Sequence, residues 1–204
     1  MRSRKSHQPT LRVLLLALLF GALLPSNAWA IQVKLRINWP LGGSYSVKGL
    51  DSLVQLGGFG LGLATVLPIE QDVALETGYE YNNGSFTNST LTYQGNYTAH
   101  IVKIGASYSG VEITDTYNLI VGGTLDLPLS GQAEVTRRSD SEKASSSSFG
   151  GIGFFGNVGV SDGQWDMFTF YRQRTLSYGL TPPGKSEKLK WTTAAYGLGV
   201  GYTF

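Results

Sequence analysis

The sequence predicts an all-β fold: an eight-stranded antiparallel transmembrane β-barrel preceded by a cleaved signal peptide. Three observations point there. An export-type leader opens the chain, segments of alternating apolar and polar residues follow, and the last nine residues place an apolar side chain at every second position. Strands send alternate side chains to opposite faces. Tyr196, Leu198, Val200, Tyr202 and Phe204 therefore share one apolar face, and Gly197, Gly199, Gly201 and Thr203 share a small one. In water such a strand would be an aggregation hazard at a sheet edge. In a bilayer it is a lipid-facing stave of a closed barrel, in which every backbone polar group finds a partner.

The leader has the three parts of a secretory signal. Arg2, Arg4, Lys5 and Arg12 form a basic segment, Val13 to Leu24 an apolar one, and Ala28-Trp29-Ala30 an A-x-A cleavage box. The apolar run is shorter than the ~20 residues a membrane-spanning helix needs. Cleavage after Ala30 divides the chain into a signal peptide, 1–30, and a barrel domain, 31–204. The chain has no Cys, which excludes a lipoprotein anchor, disulfides and thiolate metal sites. Four of the 16 Lys and Arg lie in the leader and none of the 14 acidic residues does, so 12 basic residues face 14 acidic ones after cleavage. That balance lacks the basic footprint of a nucleic-acid binder.

Alternation and turn chemistry predict strands at 31–39, 53–65, 72–82, 96–108, 117–129, 148–160, 165–176 and 189–204. Each meets or closely approaches the ~9–11 residues a tilted strand needs to cross. The connections 66–71, 109–116 and 161–164 are short. The connections 40–52, 83–95, 130–147 and 177–188 are longer and polar, with Asn82-Asn83-Gly84 and Thr181-Pro182-Pro183-Gly184 as turn signals. Short periplasmic turns and long extracellular loops place both termini in the periplasm.

A charge on the lipid face costs ~2–4 kcal/mol at the midplane, so the charged parity of each strand must point inward. Lys34, Arg36, Lys103, Arg172 and Arg174 are then expected in the lumen against Glu76, Glu80 and Asp126. The expected pairing sets Glu76 and Glu80 against Lys103 and Arg36, because buried charges need partners. The same argument carries Phe168 and Phe170 inward. In the second strand Phe59, Leu61 and Leu63 point out, with Val54, Leu56, Gly58, Gly60 and Gly62 in. Trp191 falls on the inward parity. Trp39, Tyr81 and Tyr97 are expected at the outer rim, and Tyr108, Tyr117, Trp165 and Phe204 at the inner rim, as two aromatic girdles.

Catalytic chemistry finds little support. His100 is the only His outside the leader, in the context His100-Ile101-Val102, and nothing in the spacing requires Ser107 or Glu76 to approach it. The G-x-G steps lie within strands and lack the strand–turn–helix setting of a phosphate loop. No catalytic residue, metal site or cofactor is expected.

On these residues, and above all on Tyr196, Leu198, Val200, Tyr202 and the terminal Phe204, the chain resembles the small Gram-negative outer-membrane β-barrels of the OmpA/OmpX type. The resemblance covers 31–204 and implies an outer-membrane location. It implies that the final alternating stretch is an assembly signal read by the barrel-assembly machinery. Expected partners are that machinery, outer-membrane lipids and lipopolysaccharide, and a monomer is expected. No periplasmic wall-binding domain is expected after the last strand. The family's lipid A deacylases carry a His-x-Ser pair, from which His100-Ile101-Val102 departs. Because this fold hosts many roles, the expected function is a non-enzymatic structural or surface-interaction one, presented by four extracellular loops. The alternatives are a passive conduit or binding barrel for small apolar compounds and, behind it, a lipid-modifying enzyme.

Overall fold

The computed structural model describes residues 31–47, 53–88, 90–146, 150–186, 188 and 190–204, with no side-chain description at 44–47, 53–56, 190 and 191. The expected signal peptide, with its Ala28 and Ala30 box, and the side chains of Val54, Leu56 and Trp191 lie outside the described residues. The strands are β1 (Gln32–Val47), β2 (Leu53–Pro68), β3 (Val73–Asn88), β4 (Tyr93–Glu112), β5 (Asn118–Arg137), β6 (Lys143–Ser146), β7 (Gly151–Ser161), β8 (Trp165–Ser177) and β9 (Lys190–Thr203).

From β1 to β5 and from β7 to β9 each strand pairs antiparallel with the next, β5 pairs with both β6 and β7, and β9 pairs with β1, which closes the sheet. β6 and β7 both lie along β5 and keep one register there, β6 beside Ala133–Thr136 and β7 beside Asn118–Asp126. They are two pieces of one stave, so the barrel has eight. The start of β1 and the end of β9 lie at the end of the short turns, the side that the loop asymmetry of membrane barrels assigns to the periplasm. The Phe204 amide donates to the Val33 carbonyl and the Thr203 amide to that of Gln164.

The strands run further than alternation alone indicates. The stretches 83–88, 93–95 and 130–137, read from sequence as loop, are ladder, and the β3–β4 connection shrinks to 89–92. Bulges account for two of the early endings. The register against β9 shifts between Pro40 and Gly42. The register of β4 against β5 shifts where His100 meets Ser130 and Ile101 meets Pro128. An extra residue reverses which parity points inward. In β5 the outward side chains are Val121 and Leu125 below the bulge, and Gln132 above it. The Asn82-Asn83-Gly84 signal is overridden by packing. A Cβ at Gly84 would meet the Tyr97 ring, so the glycine makes room for that ring and does not turn the chain. The turn itself is built by Asn88, whose Oδ1 accepts from the Tyr93 amide (2.8 Å) while its Nδ2 donates to Thr90 and Thr92.

The wall is apolar outside and charged inside. Val33, Leu61, Leu63, Ile104, Val121, Leu125, Phe154, Val158, Leu198 and other large apolar side chains are exposed on the outer face, while Arg36, Glu80, Asp126, Arg172 and Arg174 are buried. Only a solvent of hydrocarbon makes that arrangement favourable. Tyr108, Tyr117, Trp165 and Phe204 are exposed near the periplasmic end, and Trp39, Phe59, Tyr171 and Tyr196 are exposed toward the other. Tyr97 belongs to neither girdle: it is 4% exposed and points inward, on the parity of Ala99, Ile101 and Lys103.

Small residues of β9 let large neighbours overlap. Gly199 lies between Asn38 of β1 and Phe168 of β8, and Gly201 between Arg36 and Asp166. A Cβ at Gly199 would fall within the Phe168 ring. Gly199→Val is expected to destabilise the barrel by ~1–3 kcal/mol, the usual cost of overpacking. The shift in urea midpoint, read by gel mobility of the heat-modifiable form, checks this.

Candidate functional site: the lumen and its extracellular closure

The lumen is organised in tiers. At the periplasmic end Lys34 pairs with Asp166 at 2.7 Å. Next, the Arg36 guanidinium donates both terminal nitrogens to Glu76, each at 2.7 Å, in the planar two-pronged geometry that makes Arg–carboxylate pairs strong. Ser107 reaches the same carboxylate. The middle tier is centred on Glu80. One of its oxygens accepts from Asn38 (3.0 Å) with Lys103 at 3.2 Å; the other accepts from Arg174 at 2.9 Å and from Asn82. Asp126 binds the same two cations, with Lys103 at 3.0 Å and Arg174 Nε at 2.6 Å, and takes a hydroxyl from Thr124. Arg172 donates to the Asn82 carboxamide oxygen at 2.7 Å.

Aromatic rings fill the space the charges leave. Phe155 stacks on Phe170 and meets Phe168 edge-on, and these three form a buried cluster with Ile120. Lys103 Nζ lies 3.9 Å from the Phe155 ring centre, a cation–π contact in addition to its two carboxylates. Among the described residues of these tiers five cations face four carboxylates, since Asp166 joins the three read from sequence. The free space among Arg36, Glu76, Glu80, Lys103 and Phe155 is about 20 Å³, room for about one water. Below it a vestibule of about 190 Å³ opens to the periplasm beside Lys34, Asp72 and Ser161.

Above the charged tiers a second apolar cluster closes the extracellular end. Phe86, Tyr93, Tyr97, Ala133, Val135 and Leu176 from the strands surround Tyr178 and Leu180, which belong to the segment leaving β8. Pro182 and Pro183 are buried, and the Tyr93 hydroxyl donates to the Pro183 carbonyl at 2.8 Å. This connection, read from sequence as a polar surface loop, thus folds inward as a cap. Burial pushes the Tyr178 phenol above its ordinary value, so it is neutral at any physiological pH.

The sequence-derived residues divide as follows. Arg36 faces Glu76, while Glu76 and Lys103, expected to meet, do not: Lys103 is taken by Glu80 and Asp126. Asp166, Asn38, Asn82 and the cap residues were absent from the expected network. Asp166 carried a readable signal, its shared parity with Arg172 and Arg174. Leu198, Tyr196 and Phe204 are exposed on the outer face, and Tyr202 packs between Trp165 and Phe204. His100 lies on the outer wall, hydrogen-bonded to the Tyr79 hydroxyl and beside the Tyr81 ring. Ser107 and Glu76 lie in the lumen, on the other side of the sheet.

Closure, inside-out polarity and two aromatic belts together decide the class. The chain is a closed eight-stranded antiparallel β-barrel with the apolar outer wall of a membrane-spanning one. No protein-family model matches this barrel, and no curated protein matches it in sequence. Solved structures do share its outline. Ail, the attachment invasion locus protein of Yersinia pestis, is 15% identical over 85% of the barrel chain and 99% of its own, with a TM-score of 0.47. Neisserial surface protein A is 16% identical over 87% and 100%, TM-score 0.46. OprG from Pseudomonas aeruginosa is 13% identical over 86% and 95%, TM-score 0.46. Likenesses this distant say nothing of what the barrel does.

Proposed function

We propose that this barrel is a non-enzymatic integral protein of the outer membrane whose role is structural or surface-interacting, exerted through its extracellular end. The observation that carries this reading is the double closure of the lumen, by the Glu80-centred ion tier and by the Tyr178 cap above it. A path for solutes would have to break both. The separation of His100 from Ser107 and Glu76 by the sheet favours a role without acid–base chemistry. The exposed alternate side chains of β9, ending at Phe204, are available to the assembly machinery and afterwards to lipid. In planar bilayers the purified barrel is expected to give no steady conductance above background. A stable open level in most insertions would overturn the proposal.

A second reading rests on the apolar cluster under the cap. Phe86, Tyr93, Tyr97 and Leu176 would line a pocket for a small apolar compound if the cap swung out. Uptake of a small apolar fluorophore into proteoliposomes, above that of empty vesicles, would select this reading.

A further inference from the structure

The periplasmic vestibule holds polar groups that the ion tiers leave unused. It measures about 190 Å³ and ends inward against Arg36 and Glu76. Its charges fall into two sets. Lys34 and Arg36 are already neutralised, by Asp166 and Glu76. Glu70 and Asp72, from the turn between β2 and β3, line the mouth and have no ion-pair partner among the described residues. Asp72 is held on two sides. Its carbonyl accepts from the Ser109 amide at 2.9 Å, and its carboxylate lies over Gly110, where a Cβ would meet it at 2.5 Å. At the inner end Arg36 is 7% exposed. Both terminal nitrogens of its guanidinium go to Glu76, while its Nε has no acceptor.

We propose that the vestibule is a binding site for a small primary amine that also carries a neutral oxygen acceptor, such as an amino-acid amide or an amino alcohol. Each half of that ligand answers one of the two unused sets. The ammonium is drawn to Asp72 and Glu70, which leave the mouth with net negative charge. The oxygen accepts from Arg36 Nε, a buried donor that is costly to leave unpaired. That oxygen must be neutral, because a carboxylate there would stand beside Glu76 and be repelled by it. Between the two ends, the buried Val66 and Ile120 offer apolar wall to a short carbon chain. The volume suits a small molecule: it equals the liquid share of about six waters, at ~30 Å³ each. Because the Arg36–Glu76 pair closes the inner end, the vestibule binds its ligand without passing it on. The site faces the periplasm and so goes beyond the extracellular role proposed above.

The experiment is a titration of the isotope-labelled, refolded barrel in detergent micelles, followed by the NMR shifts of the Ser109 and Gly110 amides. The probe is γ-aminobutyramide. Pentylamine, of similar length without the oxygen, and γ-aminobutyrate, with a carboxylate in place of the amide, are run as separate arms. The wild-type barrel is expected to give saturable shifts with γ-aminobutyramide and weaker binding of both other probes. Asp72→Asn is expected to weaken binding about tenfold, as the loss of one charge-assisted hydrogen bond implies, with the heat-modifiable form unchanged. Glu70→Gln moves in the same direction, and Asp115→Asn, in the turn between β4 and β5, leaves binding unaltered. Absence of saturable shifts in the wild type, or equal binding by Asp72→Asn, would overturn the site. Equal binding of pentylamine would overturn the part given to Arg36, and equal binding of γ-aminobutyrate would overturn the neutral acceptor. None of these outcomes depends on conductance, so the site and the closed-lumen reading fail separately.

Discussion

Replacing Glu80 with Gln is expected to cost the barrel ~3–5 kcal/mol, the range seen when one partner is removed from a buried ion cluster. Glu80 is 1% exposed and shares with Asp126 the neutralisation of Lys103 and Arg174. Without its charge, Lys103, Arg172 and Arg174 would share Asp126 alone. Glu112→Gln, at an exposed position in β4, is expected to change stability by less than ~1 kcal/mol. The urea midpoints of the two variants, followed by tryptophan fluorescence and gel mobility, give the comparison. A double variant, Glu80→Gln with Arg174→Gln, should recover part of the loss, because contacting residues couple. Equal, negligible effects would show that the tier is not structural. A steady bilayer conductance in Glu80→Gln without loss of stability would turn the closed lumen into a gate.

The second large effect is expected at the cap. Tyr178→Ala removes a side chain that is 2% exposed and sits at the centre of the extracellular cluster. Aromatic-to-alanine changes in packed cores cost ~3–5 kcal/mol. Here the loss should appear as detachment of the 178–186 segment, with the transmembrane staves left intact. Trypsin cleavage after Lys185 is expected to be faster than in the wild type while the remaining barrel keeps its heat-modifiable mobility. Loss of that mobility would mean that the cluster is part of the barrel's own core. The cap should also respond to alkali. The folded phenol titrates above its ordinary value because burial disfavours the phenolate. Its contribution is therefore complete below the unfolded value of about 10 and declines as pH rises beyond it. Cleavage after Lys185 in the wild type should accelerate above that pH and be insensitive to pH between 6 and 9.

Strand count, closure and the inward set were legible because a two-residue period with charges on one parity has a single solution in a membrane. Lys34, Arg36, Glu76, Glu80, Lys103, Asp126, Arg172 and Arg174 all follow from that rule. Two things escaped it. Partners across the lumen depend on how neighbouring staves are staggered: Lys34 of β1 reaches Asp166 of β8 across β9, where Gly201 leaves the space. The extensions of β1 and β5 were hidden by bulges at 40–42 and near Leu129, the second of which changes the inward parity, whereas those of β3 and β4 keep theirs. Tyr97 shows the converse. Its parity was readable from Lys103, but an aromatic near a strand end invites assignment to a girdle.

The extension of the ladder beyond the membrane bears on how the exposed face can vary. Inward Phe86, Tyr93, Tyr97, Ala133 and Val135 alternate with outward Ser85, Gln94, Asn96, Gln132 and Glu134. An antibody or phage tail meeting this region contacts a stiff sheet and sees every second letter of the sequence. Escape by substitution is therefore confined to a comb of alternate positions. Insertions, which would shift every later side chain to the opposite face, are confined to the tips at 89–92 and 138–142. Diversification here should be dense in single replacements and poor in length changes.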